Sequence, residues 1–280
     1  MERIVVGTDG SPGGADAMRW AATLARSQGA ELVAMTSCAP VEAELPPARA
    51  TELLDEQRAH LQEWIDAAHL GDVAVRTVVE PGDHRPGILR LALREEADLV
   101  VVGRVGSSAG PGLLHLGSMA EWLAHRADCP VAVVGGAVEL APTRVVVGVD
   151  GSAGSQAAVD WVRTLGQPTT LRVIALSVHE PLVEWTPANS PENWRRGLEQ
   201  RIVTDMAAPL FDAEMEVEAR ACAGPNVADA LLQVADDEGA DLVVVGTRGL
   251  GGFSGLRVGG VALKVLHRAD RPVVLVPPGS

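Results

Sequence analysis

LVVVGTRGLGGFSGLRVGG, the stretch from Leu242 to Gly260, holds the reading of the fold. A run of apolar β-branched residues ends in Gly246, glycines recur at 249, 251, 252, 255, 259 and 260, and an apolar helical pattern then resumes. This order predicts a strand, a glycine-rich loop and a helix start. Such a loop lets backbone N–H groups converge on an anion, and the helix that follows adds the positive end of its dipole. Phosphate is the ligand that this chemistry suggests.

The stretch has a partner. ADLVVVGTRG at Ala240 to Gly249 matches ADLVVVGRVG at Ala97 to Gly106. RVVVGVDGS from Arg144 likewise matches RIVVGTDGS from Arg3, and DRPVVLV from Asp270 matches DCPVAVV from Asp128. Three landmarks in one order mean a duplicated domain. The halves are expected to span residues 1–138 and 142–280, joined through GGAVELAP, Gly135 to Pro142.

Within the first half, Ile4 to Val6 reads as a buried strand, followed by the turn Asp9-Gly10-Ser11. Ser11 can cap a helix with Ala15, Met18, Ala22 and Ala25 on one face, ending near Gly29. Leu32 to Met35 is the next strand, and Leu54, Leu61, Trp64, Ile65 and Ala68 form the apolar stripe of a longer helix. Val73, Val75, Thr77 and Val79 alternate as a strand, and Ile88, Leu91 and Ala92 mark a short helix. Leu99 to Val102 is a strand, Gly103 to Gly117 the glycine loop, Ser118 to Ala127 a helix, and Val131 to Val134 the last strand. The second half repeats the order. Buried strands alternating with helices predict an α/β protein of two tandem domains, each a five-stranded parallel sheet with helices on both faces. Ligands collect at the carboxyl ends of such strands, where the strand order reverses. That places Asp9 near Gly103 and Asp150 near Gly246.

Composition narrows the function. With 23 basic against 37 acidic side chains, the net charge of −14 would repel a phosphate backbone or an anionic membrane, so neither nucleic acid nor a membrane is an expected partner. No apolar run approaches the length of a membrane-spanning helix, the chain opens directly on a strand, and a cytoplasmic location follows as the expectation. Cys38, Cys129 and Cys222 are scattered and odd in number, which predicts buried, reduced thiols. The seven histidines show no metal spacing, and there is no GxSxG elbow, phosphate-loop lysine or kinase motif, so neither a metal site nor a catalytic residue is assigned. His115, inside the first loop, and His84 read as solvated side chains with a possible approach to phosphate as the alternative. Arg104 and Arg248 either neutralise phosphate or project to solvent. Trp185 and Trp194, in the proline-rich connection after the second half's second strand, are core or interface residues, or an anchor for a partner.

On these residues the chain resembles the universal stress protein family over nearly its whole length, as two tandem domains. The resemblance rests on an aspartate after the first strand and on a loop of Gly, two residues, Gly, nine residues, Gly, then Ser or Thr. It implies a Rossmann-like or flavodoxin-like domain that binds ATP with Mg, acting as a sensor or regulator in the stress response. It places Asp9 and Asp150 near adenosine, and the loop positions Gly103, Gly106, Gly117, Ser118, Gly246, Gly249, Gly259 and Gly260 around ribose and phosphates. Val102 and Val245 are implied at the base, Met119 and Val261 beside the phosphates, and Ser37 and Val178 at the end of the second strand. It also implies that the last strands pair between the halves as an internal pseudo-dimer, with homodimerisation beyond it.

Each half departs from the pattern. The second has the family spacing, but Gly260 replaces the hydroxyl residue; the first keeps Ser118 but has ten residues, not nine, between Gly106 and Gly117. A lost charge-assisted hydrogen bond is worth about 1.5–3 kcal/mol, while an extra loop residue changes closure entropy by only about 0.1 kcal/mol. The spacing favours the second loop, because it preserves several backbone donors. Other readings stand beside this one: glycines can serve turns and close packing alone, the aspartates can cap helices through the DGS turn, and the protein can be a nucleotide-free scaffold or a slow ATP hydrolase.

Overall fold

The computed structural model describes residues 1–38, 47–107, 116–136, 141–165, 171–179, 190–213, 215–250 and 257–279. They form two compact units, Met1–Ala141 and Pro142–Ser280. In the first unit, β1 (Arg3–Gly7) carries Ile4, Val5 and Val6 fully buried, as a strand covered on both faces requires. α1 (Pro12–Gln28) starts at Ser11, whose hydroxyl accepts the Gly14 N–H, and it ends at Gly29 with φ 64°. Then come β2 (Glu31–Cys38), α2 (Pro47–Ala68), β3 (Val75–Pro81), α3 (His84–Arg94), β4 (Leu99–Gly103), α4 (Ser118–Arg126) and β5 (Val131–Val134).

All strand pairs in this unit are parallel, in the order β3-β2-β1-β4-β5. The order reverses at β1, so the crevice between the carboxyl ends of β1 and β4 is the switch point. α1 packs on β1, β4 and β5 and touches α2; α3 packs on β1, β2 and β3 and touches α4. The helices thus form two layers, one on each face. α1 lies over the middle of the sheet, so its buried set is wider than the predicted stripe. It includes Ala17, Trp20, Ala21 and Leu24, while Ala15 is only half-buried. β3 is an edge strand, which explains its mixed burial and leaves Val73 outside it.

The second unit runs β6 (Arg144–Gly148), α5 (Ala153–Thr164), β7 (Arg172–His179), α6 (Pro191–Arg201), a π-helical turn (Ile202–Met206), α7 (Ala208–Phe211), β8 (Glu216–Ala223), α8 (Val227–Asp237), β9 (Leu242–Gly246), α9 (Gly260–Arg268) and β10 (Val273–Val276). Its strands are parallel in the order β10-β9-β6-β7-β8, the same arrangement. The repeat breaks in one place. Where the first unit has the single helix α2, the second has α6, the π turn and α7. Ala207 N–H reaches back to the Ile202 carbonyl at 2.8 Å, and Pro209, lacking a donor, sits in the first turn of α7, where none is needed.

Ion pairs occupy the amino-terminal ends of the strands. Glu31 accepts from Arg76 and Arg3, Glu95 from Arg76, and in the second unit Glu218 accepts from Arg172 and Arg220. The Arg76 and Arg3 bonds hold the Glu31 carboxyl below its usual range. The glycine loops lie at the opposite, carboxyl-terminal ends.

Candidate functional site

The turn after β1 is built around Asp9. Its Oδ1 accepts the Ser11 N–H at 3.1 Å, a local turn that sets up Ser11 as the cap of α1. Its Oδ2 accepts the Ser107 N–H at 2.7 Å, inside the glycine loop after β4. Burial by itself would raise the carboxyl's pKa; the bonds from Ser107 and Ser11 outweigh it and hold it below the usual value. The aspartate therefore stays charged. It is a turn residue, as the capping reading had it, and also a clamp on the loop.

The glycines divide by role. A Cβ on Gly103 would stand 2.5 Å from the Gly13 carbonyl oxygen and 2.6 Å from its carbon, because the first turn of α1 presses on the end of β4. A Cβ on Gly106 would meet Asp9 Oδ2 at 2.8 Å, and one on Gly117 the Arg104 carbonyl oxygen at 2.8 Å. These positions are glycine because backbone or carboxylate lies against them, the close-packing role. The Gly117 N–H is also committed, donating to the Arg104 carbonyl at 2.7 Å. The donors aimed outward are those of the first turn of α4, at Ser118, Met119 and Ala120, since the first helical bond to Gly117 comes from Glu121. Loop residues 108–115, with His115 among them, lie outside the described residues.

Around this turn and helix start is a cavity of about 530 Å³, of the size that takes a small ligand. Asp9, Ser37, Val102, Gly103, Gly106, Gly117, Ser118 and Met119 all line it, so the first-unit residues that the resemblance assigns to a nucleotide are brought to one place. The cavity also takes in Thr36, Gln57, Trp64, His84 and Ile88, which the sequence had assigned to the core or to solvent or had not singled out. For Gln57 a signal was present. Gln57, Leu61, Trp64 and Ala68 fall on one face of α2, so a polar amide interrupts an apolar stripe. His84 opens α3 beside its cap Asp83 and remains largely exposed at the cavity rim, not in a loop. Trp64 packs over Gly10, whose φ of +74° and missing Cβ make room for the indole.

The second unit repeats the clamp. Asp150 Oδ1 accepts the Ser152 N–H at 2.9 Å and Oδ2 the Leu250 N–H at 3.0 Å. Here too burial is outweighed, by bonds from Ser152, Leu250 and Ser155, and the pKa is lowered. A Cβ on Gly246 would collide with Gly154 backbone, and one on Gly249 would lie 2.5 Å from Asp150 Oδ2. Gly259 N–H donates to the Thr247 carbonyl at 2.7 Å, leaving Gly260, Val261 and Ala262 at the start of α9. Among the described residues no atom lies within 4 Å of a Cβ at Gly260. Val245 is buried at the end of β9, Val178 half-buried near the end of β7, and Val261 exposed. Residues 251–256 lie outside the described residues.

Of the other candidates, some match their expectations and some do not. Arg104 is buried, its guanidinium lying where a Gly135 side chain would be, so it neither lines the cavity nor projects to solvent. Arg248 is exposed. All three cysteines are free, but only Cys38 is fully buried; burial of the half-covered Cys129 pushes its thiol up to about 11. Trp194 stands edge-on to His179, and Trp185 lies outside the described residues. Among the described residues no three His, Cys, Asp or Glu side chains gather as a metal site, and no helix is long and apolar enough to cross a membrane.

The fold and site together define an α/β protein built twice, each copy with an aspartate clamping a glycine loop at the switch point. A profile of the Universal stress protein family matches residues 1–135 and again 142–277, and the chain belongs to that family. It is similar to a universal stress protein of Mycobacterium tuberculosis strain H37Rv, 31% identical over 293 residues, which span 97% of this chain and 95% of the relative. A relative in Mycolicibacterium smegmatis is 30% identical over 288 residues, 98% of this chain and 97% of its own length. Among solved structures, a universal stress protein from Archaeoglobus fulgidus shares the fold with a TM-score of 0.72 at 19% identity, covering 99% of this chain and 98% of that one.

Proposed function

We propose that the first unit binds an adenine nucleotide, ATP with Mg, and that its occupancy makes the protein a sensor or regulatory module of the stress response. The cavity carries this reading, bounded by the ionised Asp9 on one side and by the first turn of α4 with Ser118 on the other. A triphosphate suits outward N–H groups at a helix N-terminus and a hydroxyl. Ribose hydroxyls suit a carboxylate, which accepts only. Mg binds chiefly through phosphate oxygens and water, and so needs no dedicated protein cage. Asp150, Gly246, Gly249, Gly259, Gly260 and Val261 extend the reading to the second unit; against the expectation from spacing, it is proposed as the weaker site, because it lacks the hydroxyl that Ser118 adds to the first-unit cavity. Homodimerisation belongs to the same reading, and sedimentation tests it.

The test is direct. Purified protein is denatured and its supernatant chromatographed for nucleotide, and ATP-Mg is titrated calorimetrically into the wild type and Asp9→Ala. Bound adenine nucleotide, or binding weakened at least tenfold in the variant, supports the reading. A nucleotide-free supernatant together with no heat of binding leaves a nucleotide-free scaffold.

A further inference from the structure

We infer that Gln57 reads the edge of the base in the first-unit cavity and makes this site prefer adenine to guanine. The inference rests on the nucleotide reading above and adds a specificity-determining residue to it. β2 and β4 are the two neighbours of β1, so their carboxyl ends stand two strand spacings apart, roughly 9–10 Å. Phosphate donors occupy the β4 side, at Ser118 and the first turn of α4. The far wall is made by Thr36 and Ser37 of β2 and by Gln57 and Trp64 of α2. A nucleotide with its phosphates at α4 and its ribose at Asp9 therefore places its base against that wall.

The wall has the chemistry of a base site. Met35, Trp64 and Ile88 offer apolar surface to a flat ring, and Gln57 presents an amide among them. One N–H of that amide donates to the buried Thr36 hydroxyl at 3.4 Å, a long bond that orients the group without committing it. The amide's carbonyl and the N–H syn to it lie side by side. Adenine presents N7 as acceptor and the N6 amine as donor in that same geometry, whereas guanine presents two acceptors, N7 and O6, so its O6 would face the amide carbonyl. Packing alone does not call for an amide here: the residue shares a helix face with Leu61, Trp64 and Ala68, and a half-buried amide needs a partner to offset its lost hydration.

Binding of ATP, GTP and inorganic tripolyphosphate is measured on the full chain in an Asp150→Ala background, which suppresses the second unit. The wild-type first unit should bind ATP about tenfold or more tighter than GTP. Gln57→Leu should bring ATP down to the GTP level and leave GTP and tripolyphosphate unchanged. Gln57→Met, another apolar side chain of similar size, gives the same readout should the leucine variant fail to fold by circular dichroism. An unchanged ATP-to-GTP ratio in a folded variant overturns the inference. Tripolyphosphate binding with no base preference in the wild type also overturns it while sparing phosphate binding, and no binding of any of the three overturns both.

Discussion

Ser107 donates its backbone N–H to the Asp9 carboxylate at 2.7 Å across 98 positions of sequence, tying the glycine loop after β4 to the turn after β1. Asp150 and Leu250 form the same bond in the second unit, at 3.0 Å. Under the proposed nucleotide reading the carboxylate that holds the loop also meets the ribose, so the clamp would link stability to ligand binding. Asp9→Ala strands two N–H groups, an exposed one at Ser107 and a part-buried one at Ser11, which water compensates in part, so the loss of stability should be about 1 kcal/mol. Binding of ATP should fall at least tenfold. Urea unfolding and calorimetry on the same sample check both, and an unchanged affinity would remove Asp9 from the nucleotide site.

Acid should loosen the same clamps. Asp9 and Asp150 both have folded pKa values below the ordinary 3.8, so their contribution is fully present above that pH and is lost as pH falls through the lower folded values. The Asp9→Asn, Asp150→Asn double variant should show a flatter fall in urea midpoint below pH 4 than the wild type. Parallel acid limbs would mean that the carboxylates elsewhere, such as Glu31 and Glu218, carry the whole effect.

At the alkaline end the sign reverses through Cys129. Burial raises its thiol from 9.0 to about 11, so the folded state keeps a proton that the unfolded chain loses. Stability is intact below pH 9 and declines between pH 9 and 11, by about 2–3 kcal/mol at most on the standard conversion of 1.36 kcal/mol per unit. Cys129→Ala should flatten that limb. The thiol should also resist alkylation at pH 8 in the native protein and react once urea is added.

The strands and loops were legible because burial on both faces of a parallel sheet leaves continuous apolar runs such as Leu99 to Val102, and because the duplication printed each one twice. Asp9 and Ser118 were legible through their place after those runs. The roles of the glycines were not. That Gly103 faces Gly13 and Gly117 faces the Arg104 carbonyl depends on how α1 crosses β4, which no local pattern encodes. Nor was the broken second helix of the second unit, where a π turn replaces the regular winding of α2. The cavity wall at α2 and α3 was missed for another reason: Trp64 and Ile88 serve the core stripe and the cavity at once, and periodicity reports only the first.

The steric glycines make a sharp contrast with the permissive ones. Gly103→Ala puts a methyl 2.5 Å from the Gly13 carbonyl oxygen, where neither backbone can yield without moving α1 off β4. Overpacking of this kind costs about 1–3 kcal/mol or more, and the urea midpoint should drop accordingly. Gly260→Ala meets no atom of the described residues within 4 Å and replaces glycine in the first turn of a helix, so it should leave the midpoint unchanged or slightly raised. Equal losses in the two variants would contradict the packing described.

Gly260→Ser asks whether the second loop lacks only its hydroxyl. Gly260 opens α9 as Ser118 opens α4, after Gly259 and Gly117 respectively, and no atom of the described residues crowds its missing Cβ. A serine there adds one donor to phosphate without disturbing the Gly259 bond to Thr247. A charge-assisted bond of about 1.5–3 kcal/mol corresponds to a gain of roughly tenfold or more in affinity. In an Asp9→Ala background, which silences the first unit, ATP should therefore bind Gly260→Ser at least tenfold tighter than Gly260, and Gly260→Ala should show no such gain. Alanine and serine variants of equal affinity would mean that the second loop, despite its spacing, does not bring phosphate to the head of α9.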